Sequence, residues 1–130
     1  MRILVSSTFE KEVAGSNKDY LIEFYAPWCA HCKLLEPIYQ QLAEKNQVNN
    51  NLIIAKFDAS QNDIPKGFRV EGYPMIFYVP AGKRDAPVPY RSKERTVELL
   101  QNFIDENSSV FLTDEERRGA QSVEKEELWS

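Results

Sequence analysis

Two short stretches of almost unbroken apolar residues, 20–25 and 52–57, stand out along the chain. They are rich in β-branched and aromatic residues, and strands without polar alternation are typical of sheet centres covered on both faces. A third apolar run, 75–79, lies between Pro74 and a turn segment at 80–82. We therefore predict three central strands. Weaker strands are predicted at 3–5 and at 88–90, where a proline is tolerated because the strand is at an edge.

Helical periodicity appears between and after these strands. In residues 32–45 the apolar positions recur every three or four residues and form one stripe, made of Leu34, Leu35, Ile38, Tyr39 and Leu42. Pro37 lies inside this stripe, so we expect a kinked helix. A second stripe predicts a helix over 96–105. The interval between the two central strands suits a right-handed crossover, which makes them parallel and predicts a small α/β fold.

Length and composition fit one globular domain. The 130 residues are 42% hydrophobic and 28% charged, which suffices for a single core. We expect the domain to span 1–110 and the acidic residues 111–130 to form a C-terminal tail or a loosely attached helix. The net charge is −4, so the sequence gives no sign of the basic surface that nucleic-acid binding requires. No segment approaches the length of a membrane span, and the first seven residues hold too short an apolar run for a secretory signal.

The candidate chemistry is concentrated in four consecutive positions, Cys29-Ala30-His31-Cys32, which hold both cysteines and the single histidine. If Cys29 begins a helix, Cys32 lies one turn further on the same face, and the two sulfurs can form a disulfide without rearrangement. At the first helical position Cys29 would meet unpaired N–H groups and the positive end of the helix dipole, with His31 and Lys33 nearby, and such surroundings stabilise a thiolate. We predict that Cys29 is the nucleophile, that Cys32 resolves the mixed disulfide, and that Trp28 offers an aromatic surface beside them.

Two other interpretations of the cysteine pair are weaker. As a structural staple, a ring of four residues would contribute only about 2 kcal/mol. As a zinc site, the pair lacks ligands, because a tetrahedral structural site needs four Cys or His side chains and this chain holds three, bunched too tightly to converge. The spacing therefore predicts a redox pair and no metal.

Glu23 and Lys56 are charges inside otherwise apolar strands. Buried charges are costly unless paired, and parallel neighbouring strands would allow these two to meet beneath the active-site helix. From the residues alone, a role in proton transfer and a pairing that only sets the strand register are equally open.

Four stretches carry a more specific signal: Ile22-Glu23-Phe24-Tyr25-Ala26-Pro27-Trp28-Cys29-Ala30-His31-Cys32-Lys33, Leu35-Glu36-Pro37-Ile38-Tyr39, Ile54-Ala55-Lys56-Phe57-Asp58-Ala59 and Val70-Glu71-Gly72-Tyr73-Pro74-Met75. Together they resemble a catalytic thioredoxin-type domain of the protein disulfide isomerase family, particularly the later catalytic domain of multidomain members. The resemblance spans residues 1 to about 108. It implies a thioredoxin-like fold, with a central mixed β-sheet flanked by helices.

The resemblance also implies roles for individual residues. Glu23 and Lys56 would form a pair that helps Cys32 lose or gain its proton. A cis Tyr73-Pro74 peptide would face the cysteines, with the Tyr73 backbone pairing to an extended substrate segment. Arg95 would swing toward Cys32 and favour its thiolate.

The chain departs from the family pattern at two positions. Ala30 replaces the usual glycine between cysteine and histidine, and Arg95 lies five residues after Tyr90, where the family has four.

The activity that the resemblance implies is the formation, reduction and isomerisation of disulfides in client proteins, with no cofactor. Unfolded or misoxidised clients would be its partners, together with glutathione or an upstream thiol oxidase, and neither nucleic acid nor a membrane. The domain would belong to a longer multidomain chain in the endoplasmic reticulum lumen. Lys125-Glu126-Glu127-Leu128 resembles a retention tetrapeptide, but Trp129-Ser130 follow it, and such signals are read at the extreme C-terminus.

Two alternative functions stay open. One is a reducing thioredoxin, although the Ala-His dipeptide between the cysteines differs from the Gly-Pro typical of those proteins. The other is a client-binding module in which the cysteine pair is incidental.

Overall fold

A computed structural model describes residues 1–108 of the chain, so the expectations for residues 111–130, the proposed boundary at 110 and the retention-like tetrapeptide lie outside the described residues. The strands are β1 (Arg2–Leu4), β2 (Asp19–Tyr25), β3 (Leu52–Asp58), β4 (Met75–Val79) and β5 (Val88–Pro89). The helices are α1 (Ser6–Phe9), continued by a π-helical stretch (Glu10–Ala14), α2 (Ala30–Lys45) and α3 (Val97–Asn107). Every strand predicted from the sequence is present, with ends that differ by at most one residue.

The strands form one mixed sheet in the order β1-β3-β2-β4-β5. β1, β3 and β2 run parallel, whereas β4 is antiparallel to β2 and β5 is antiparallel to β4. The predicted parallel pairing of the two central strands is confirmed. So is the α/β class, with a central mixed sheet flanked by helices.

Each face of the sheet carries its own core. On one face, a cluster that includes Phe24, Phe57 and Phe77 packs against Phe9 and Val13 from the first helical segment. On the other face, Leu21 and its neighbours pack beneath α2 and α3. Because side chains alternate along a strand, Asp19 and Glu23 of β2 and Lys56 of β3 project toward α2 and α3, on the same face as Leu21.

Helix α2 is fixed to the sheet by a buried tyrosine. The Tyr39 hydroxyl lies 3.0 Å from the carbonyl oxygen of Leu21 and 2.6 Å from that of Ala55, which belong to adjacent strands. The helix runs without a break through Pro37. Leu34, which the sequence placed in the apolar stripe, is exposed, because it lies one position before the buried Leu35 and points away from the sheet. The two hydrogen bonds of Tyr39 therefore hold α2, which begins at the cysteine site, against β2 and β3.

Helix α3 begins one residue later than predicted because Thr96 is its N-cap. The Thr96 hydroxyl oxygen accepts a hydrogen bond of 3.1 Å from the N–H of Leu99, as a capping threonine does. Within residues 1–108, no helix combines the length and apolarity needed to cross a bilayer.

Candidate active site

The cysteine pair lies where β2 leads, through a tight turn, into α2. The N–H of Cys29 donates to the carbonyl of Ala26 at 3.1 Å. Cys29 then adopts an extended backbone conformation, with φ −83° and ψ 118°, and serves as the N-cap of α2. The expectation that Cys29 is the first helical residue is therefore corrected by one position. The physical reason is that its side chain caps the helix, which requires a non-helical backbone.

The sulfur of Cys29 is the hydrogen-bonding centre of the site. It accepts a hydrogen bond from the N–H of Cys32 at 3.2 Å, and its thiol donates to the carbonyl oxygen of Tyr73 at 3.5 Å. A negative sulfur here would keep the first of these contacts and would lie at the positive end of the helix dipole. Both cysteines are thiols in this structure, and they are covered to similar extents, at 8% and 6% exposed. The asymmetry between them therefore arises from their neighbours and not from exposure.

The segment opposite the cysteines contains a cis peptide bond between Tyr73 and Pro74, as the resemblance implied. Tyr73 also touches Trp28 edge to face, with ring centroids 5.9 Å apart. Trp28 is 71% exposed, so this aromatic pair presents a hydrophobic surface to solvent beside Cys29. An exposed aromatic surface of this kind suits contact with apolar side chains.

A cavity of about 310 Å³ opens beside Cys32. The Cys32 thiol thus contacts a space that is also lined by two glutamates and two lysines. Its lining includes Glu23 and Lys56 from the sheet and Cys32, Lys33, Glu36 and Gln40 from α2.

Glu23 is the most perturbed carboxylate at the site. It is only 4% exposed, and burial raises its pKa from 4.5 to about 7, because desolvation disfavours the charged form. The positive charges of Lys56 and Arg95 lower this pKa, and the negative charge of Glu36 raises it further. Glu23 therefore titrates near neutral pH, where it can either take or give a proton.

Lys56 lies directly opposite Glu23 in the parallel register of β2 and β3, but its ammonium group is directed elsewhere. Its Nζ lies over the ring of Tyr25, 5.3 Å from the centroid. Among the ion pairs of the described residues, none joins Lys56 to Glu23. The sequence suggested a direct ion pair between Lys56 and Glu23. In the structure the two charges attract each other only at longer range, because the face of the Tyr25 ring stabilises the Lys56 ammonium group.

Cys32 differs from Cys29 in its chemical surroundings. Burial, and then a hydrogen bond to Cys29, raise the pKa of the Cys32 thiol to about 12. A thiol with so high a pKa keeps its proton at neutral pH and needs a base in order to react. Glu23, which lines the same cavity, is the buried carboxylate available for that task.

The remaining predicted site residues lie around this centre. His31 is exposed in the first turn of α2, between the cysteines. Arg95 is half-buried before the N-cap of α3, and its charge reaches Glu23 although it does not line the cavity. Within residues 1–108, no group of three or more Cys, His, Asp and Glu side chains could hold a metal ion.

Sequence reasoning missed several residues of the cavity, among them Glu36, Gln40 and Tyr25. Glu36 and Gln40 follow Cys32 at intervals of four, a spacing that places them on the same helix face, so the signal was present. Tyr25, the aromatic partner of Lys56, could not be found from sequence, because the contact depends on which way the lysine side chain turns.

Comparison with known proteins agrees with this geometry. The family model for thioredoxin matches residues 1–106. Protein disulfide-isomerase A4 from Homo sapiens is 44% identical over 110 residues, which are 84% of this chain and 17% of that protein. Protein disulfide-isomerase A3 from Gallus gallus is 39% identical over 125 residues, which are 96% of this chain and 25% of that protein. The chain therefore spans a quarter or less of these two relatives.

A solved structure is similar as well. The solution structure of the first thioredoxin domain of mouse protein disulfide-isomerase A4 superimposes with a TM-score of 0.64 at 30% sequence identity. The match covers 92% of this chain and 75% of that one.

Proposed function

The chain belongs to the thioredoxin family and has protein disulfide-isomerases among its relatives, and from this premise we propose that it forms, reduces and isomerises disulfides in client proteins. The observation that carries the proposal is the position of Cys29 Sγ. It caps α2, accepts the N–H of Cys32 and faces the carbonyl of Tyr73. These contacts support the proposal, because the sulfur that we assign as nucleophile lies beside the backbone that we expect an extended client to pair with.

The reaction proceeds in two exchanges. The Cys29 thiolate attacks one sulfur of a client disulfide, that S–S bond breaks, and the other client sulfur leaves as a thiolate. Cys32 then gives its proton to Glu23 and attacks Cys29 Sγ, which releases the first client sulfur and forms the Cys29–Cys32 disulfide. Two electrons pass to the client. The reverse sequence oxidises a client dithiol, and release of the mixed disulfide to another client thiol isomerises it.

Other side chains support these steps. Glu23 is the proton acceptor for Cys32, and the charge of Lys56 keeps its pKa from rising further. Arg95 moves toward Cys32 when its thiolate forms. A positive His31 favours the reduced pair and makes the disulfide a better oxidant. Trp28 and Tyr73 hold apolar client side chains, and the Tyr73 backbone at cis Pro74 pairs with the client main chain.

The cellular setting is part of the proposal. We place the domain in the endoplasmic reticulum lumen, as its resemblance to protein disulfide-isomerases implies. We place it within a longer multidomain chain because its matched relatives are several times its length. Its partners are unfolded or misoxidised clients and glutathione or an upstream thiol oxidase.

The test is a redox titration of the domain against glutathione buffers, together with the refolding of a scrambled disulfide-containing protein. We expect an oxidising pair and recovery of native client disulfides. A variant with Cys29 and Cys32 both changed to serine is the control and should be inactive. A strongly reducing potential, with disulfide reduction and no recovery of scrambled client, would indicate a thioredoxin-type reductase. Client binding that persists unchanged in the double variant, with no redox activity in the wild type, would indicate a binding module.

A further inference from the structure

The reaction steps proposed above give no role to Glu36 and Gln40, which line one wall of the cavity beside Cys32. Along α2, Cys32, Glu36 and Gln40 recur every four residues on one helix face, and all three line the cavity. Glu23 and Lys56 line it from the sheet. The cavity therefore contains two carboxylates, one rooted in the sheet and one on the helix.

The two carboxylates differ in their access to solvent. Glu23 is buried, whereas Glu36 is exposed. A cavity of about 310 Å³ that has two carboxylates and two lysines in its lining has room for several water molecules, since one occupies about 30 Å³ in the liquid. A buried carboxylate that takes a proton in every turnover must also release it. The same cavity reaches from Glu23 to an exposed carboxylate, Glu36.

We propose that Glu36 is the outer carboxylate of a proton path that runs from the Cys32 thiol, through Glu23, to solvent. This inference rests on the proposed function, because it requires Cys32 to resolve a mixed disulfide. As Cys32 attacks Cys29 Sγ, its proton passes to the Glu23 carboxylate. The bond between Cys29 and the client sulfur breaks, and the client leaves as a thiolate with both electrons of that bond. The proton on Glu23 then moves through cavity water to Glu36 and into bulk solvent.

Glu36 acts through Glu23 and not on the sulfurs, so it is a positioning residue. The pKa of Glu23 also depends on the other titratable and charged groups around it. They are Met1, which lines the cavity and carries the terminal amino group, Tyr25 on the same strand, Lys56 on β3, Cys32, Lys33, Glu36 and Tyr39 on α2, and Arg95 before α3. Lys56 and Arg95 lower the pKa of Glu23, and Glu36 raises it. Removing the charge of Glu36 therefore makes Glu23 a weaker base and moves its ionisation to lower pH.

The experiment compares Glu36→Gln with Glu44→Gln in the full chain. Glu44 carries the same charge on the same helix, is exposed and does not line the cavity, so it is a matched control. Reduced protein is mixed in a stopped-flow instrument with excess fluorescent peptide disulfide between pH 5 and 8. Capture by Cys29 depends on the peptide concentration, whereas resolution by Cys32 does not, and the two steps therefore separate.

We expect Glu36→Gln to slow resolution about fivefold, less than the effect of losing a direct general base, and to move the midpoint of its pH profile downward. Acetate in the buffer should restore part of the rate, and Glu36→Asp should retain most of it. Glu44→Gln should leave both the rate and the midpoint unchanged.

Two results would overturn the inference. One is resolution at the wild-type rate and midpoint in folded Glu36→Gln. The other is a slowed rate that acetate does not restore, since this would assign the effect to packing. If Glu36→Gln alters neither step but wild type captures and resolves the peptide, the proposed function stands without this path. A wild-type protein that never captures the peptide would overturn the proposed function and this inference with it.

Discussion

Two carboxylates on the same face of β2 are buried almost equally, yet their surroundings differ. Asp19, where the strand begins, is 1% exposed, and Glu23, four residues further along, is 4% exposed. The oxygens of Asp19 accept hydrogen bonds from the Tyr78 hydroxyl and from the N–H of Ala81, the latter at 2.7 Å. Among the hydrogen bonds of the described residues, none reaches the Glu23 carboxylate, which lines a cavity instead.

This difference separates a structural carboxylate from a chemical one. Asp19 joins β2 to the end of β4, and burial, followed by the hydrogen bond to Asp19, raises the pKa of Tyr78, so that the hydroxyl remains a donor. Glu23 has a pKa raised to about 7 and a thiol with a high pKa in the same cavity. Burial and charge are shared by both residues. The hydrogen-bond partners of the two carboxylates differ, and we expect this difference to determine which of them exchanges a proton.

The largest effect is expected at the carboxyl end of β2, where the chain reaches Cys29. Cys29→Ser should abolish capture of clients, because the remaining thiol, Cys32, has a pKa raised to about 12 and keeps its proton. Cys32→Ser should leave long-lived mixed disulfides, because the resolving thiol is gone. Mass spectrometry of trapped adducts measures both. Asp19→Asn, at the other end of the strand, should capture and resolve clients normally while it remains folded. Comparable capture by both cysteine variants would contradict the assigned order of attack.

The next largest effect is on stability, at the amino end of β2. Asp19→Ala should lower the free energy of unfolding by about 3 kcal/mol, because hydrogen bonds to a charged acceptor are lost and a buried tyrosine hydroxyl is left without one. Glu23→Ala, by contrast, should change it by less than about 1 kcal/mol at neutral pH, since no hydrogen bond is broken. Urea titration of both variants measures this. Equal losses would show that the two carboxylates are equally structural.

Local patterns made much of this molecule predictable. From the sequence alone, apolar runs located the strands, helical periodicity located α2 and α3, and the spacing of Cys29 and Cys32 indicated a redox pair. These features depend on interactions within a few residues. The helical segment between β1 and β2 escaped because only Phe9 and Val13 are buried in it, too few for a periodic signal.

Features that depend on side-chain direction were predicted less well. The register that places Glu23 opposite Lys56 followed from two parallel strands, but the contact of Lys56 with Tyr25 could not, because a lysine has several rotamers and the sequence does not choose among them. The exposure of Leu34 also depends on which part of α2 faces the sheet. The roles of Glu23, Lys56 and Arg95 remain predictions of the family resemblance.

A smaller effect should appear in the pH dependence of stability. The pKa of Glu23 is about 7 in the folded protein and near 4.5 in the unfolded chain. Its contribution is therefore full below pH 4.5 and is lost as pH rises through 7, a fall of about 2 kcal/mol between pH 5 and 7. Glu23→Gln should not show this fall, so the difference in unfolding free energy between wild type and variant should change by about 2 kcal/mol over this range in parallel urea titrations. A difference that stays flat over this range would mean that Glu23 is not perturbed.

Turnover should respond to Glu23 more than the redox equilibrium does. Glu23→Ala should slow client oxidation by about tenfold or more, because Cys32, which leaves Cys29 as a thiolate in that direction, loses its proton donor. The potential measured against glutathione should shift by much less, since a proton acceptor affects the rate of ionisation and not the final distribution of electrons. Unchanged oxidation and isomerisation rates would place Glu23 in the same class as Asp19, as a residue that only sets the sheet.

The smallest effect distinguishes a direct ion pair from a distant one. If Lys56 and Glu23 were bonded, Lys56→Met would cost about 3–5 kcal/mol, the loss typical of a broken buried pair. With Nζ over the Tyr25 ring instead, the loss should be about 0.5–1 kcal/mol, the scale of a cation–π contact.

The same change removes a positive charge that lowers the pKa of Glu23, so Glu23 becomes more fully protonated at pH 7. Turnover should then fall at pH 7 and recover at higher pH, where Glu23 is again ionised. Lys56→Arg, which keeps the charge, is the control for both measurements. A stability loss of 3 kcal/mol or more in Lys56→Met would show that the two charges pair directly in solution, and the contrast between Glu23 and the hydrogen-bonded Asp19 would disappear.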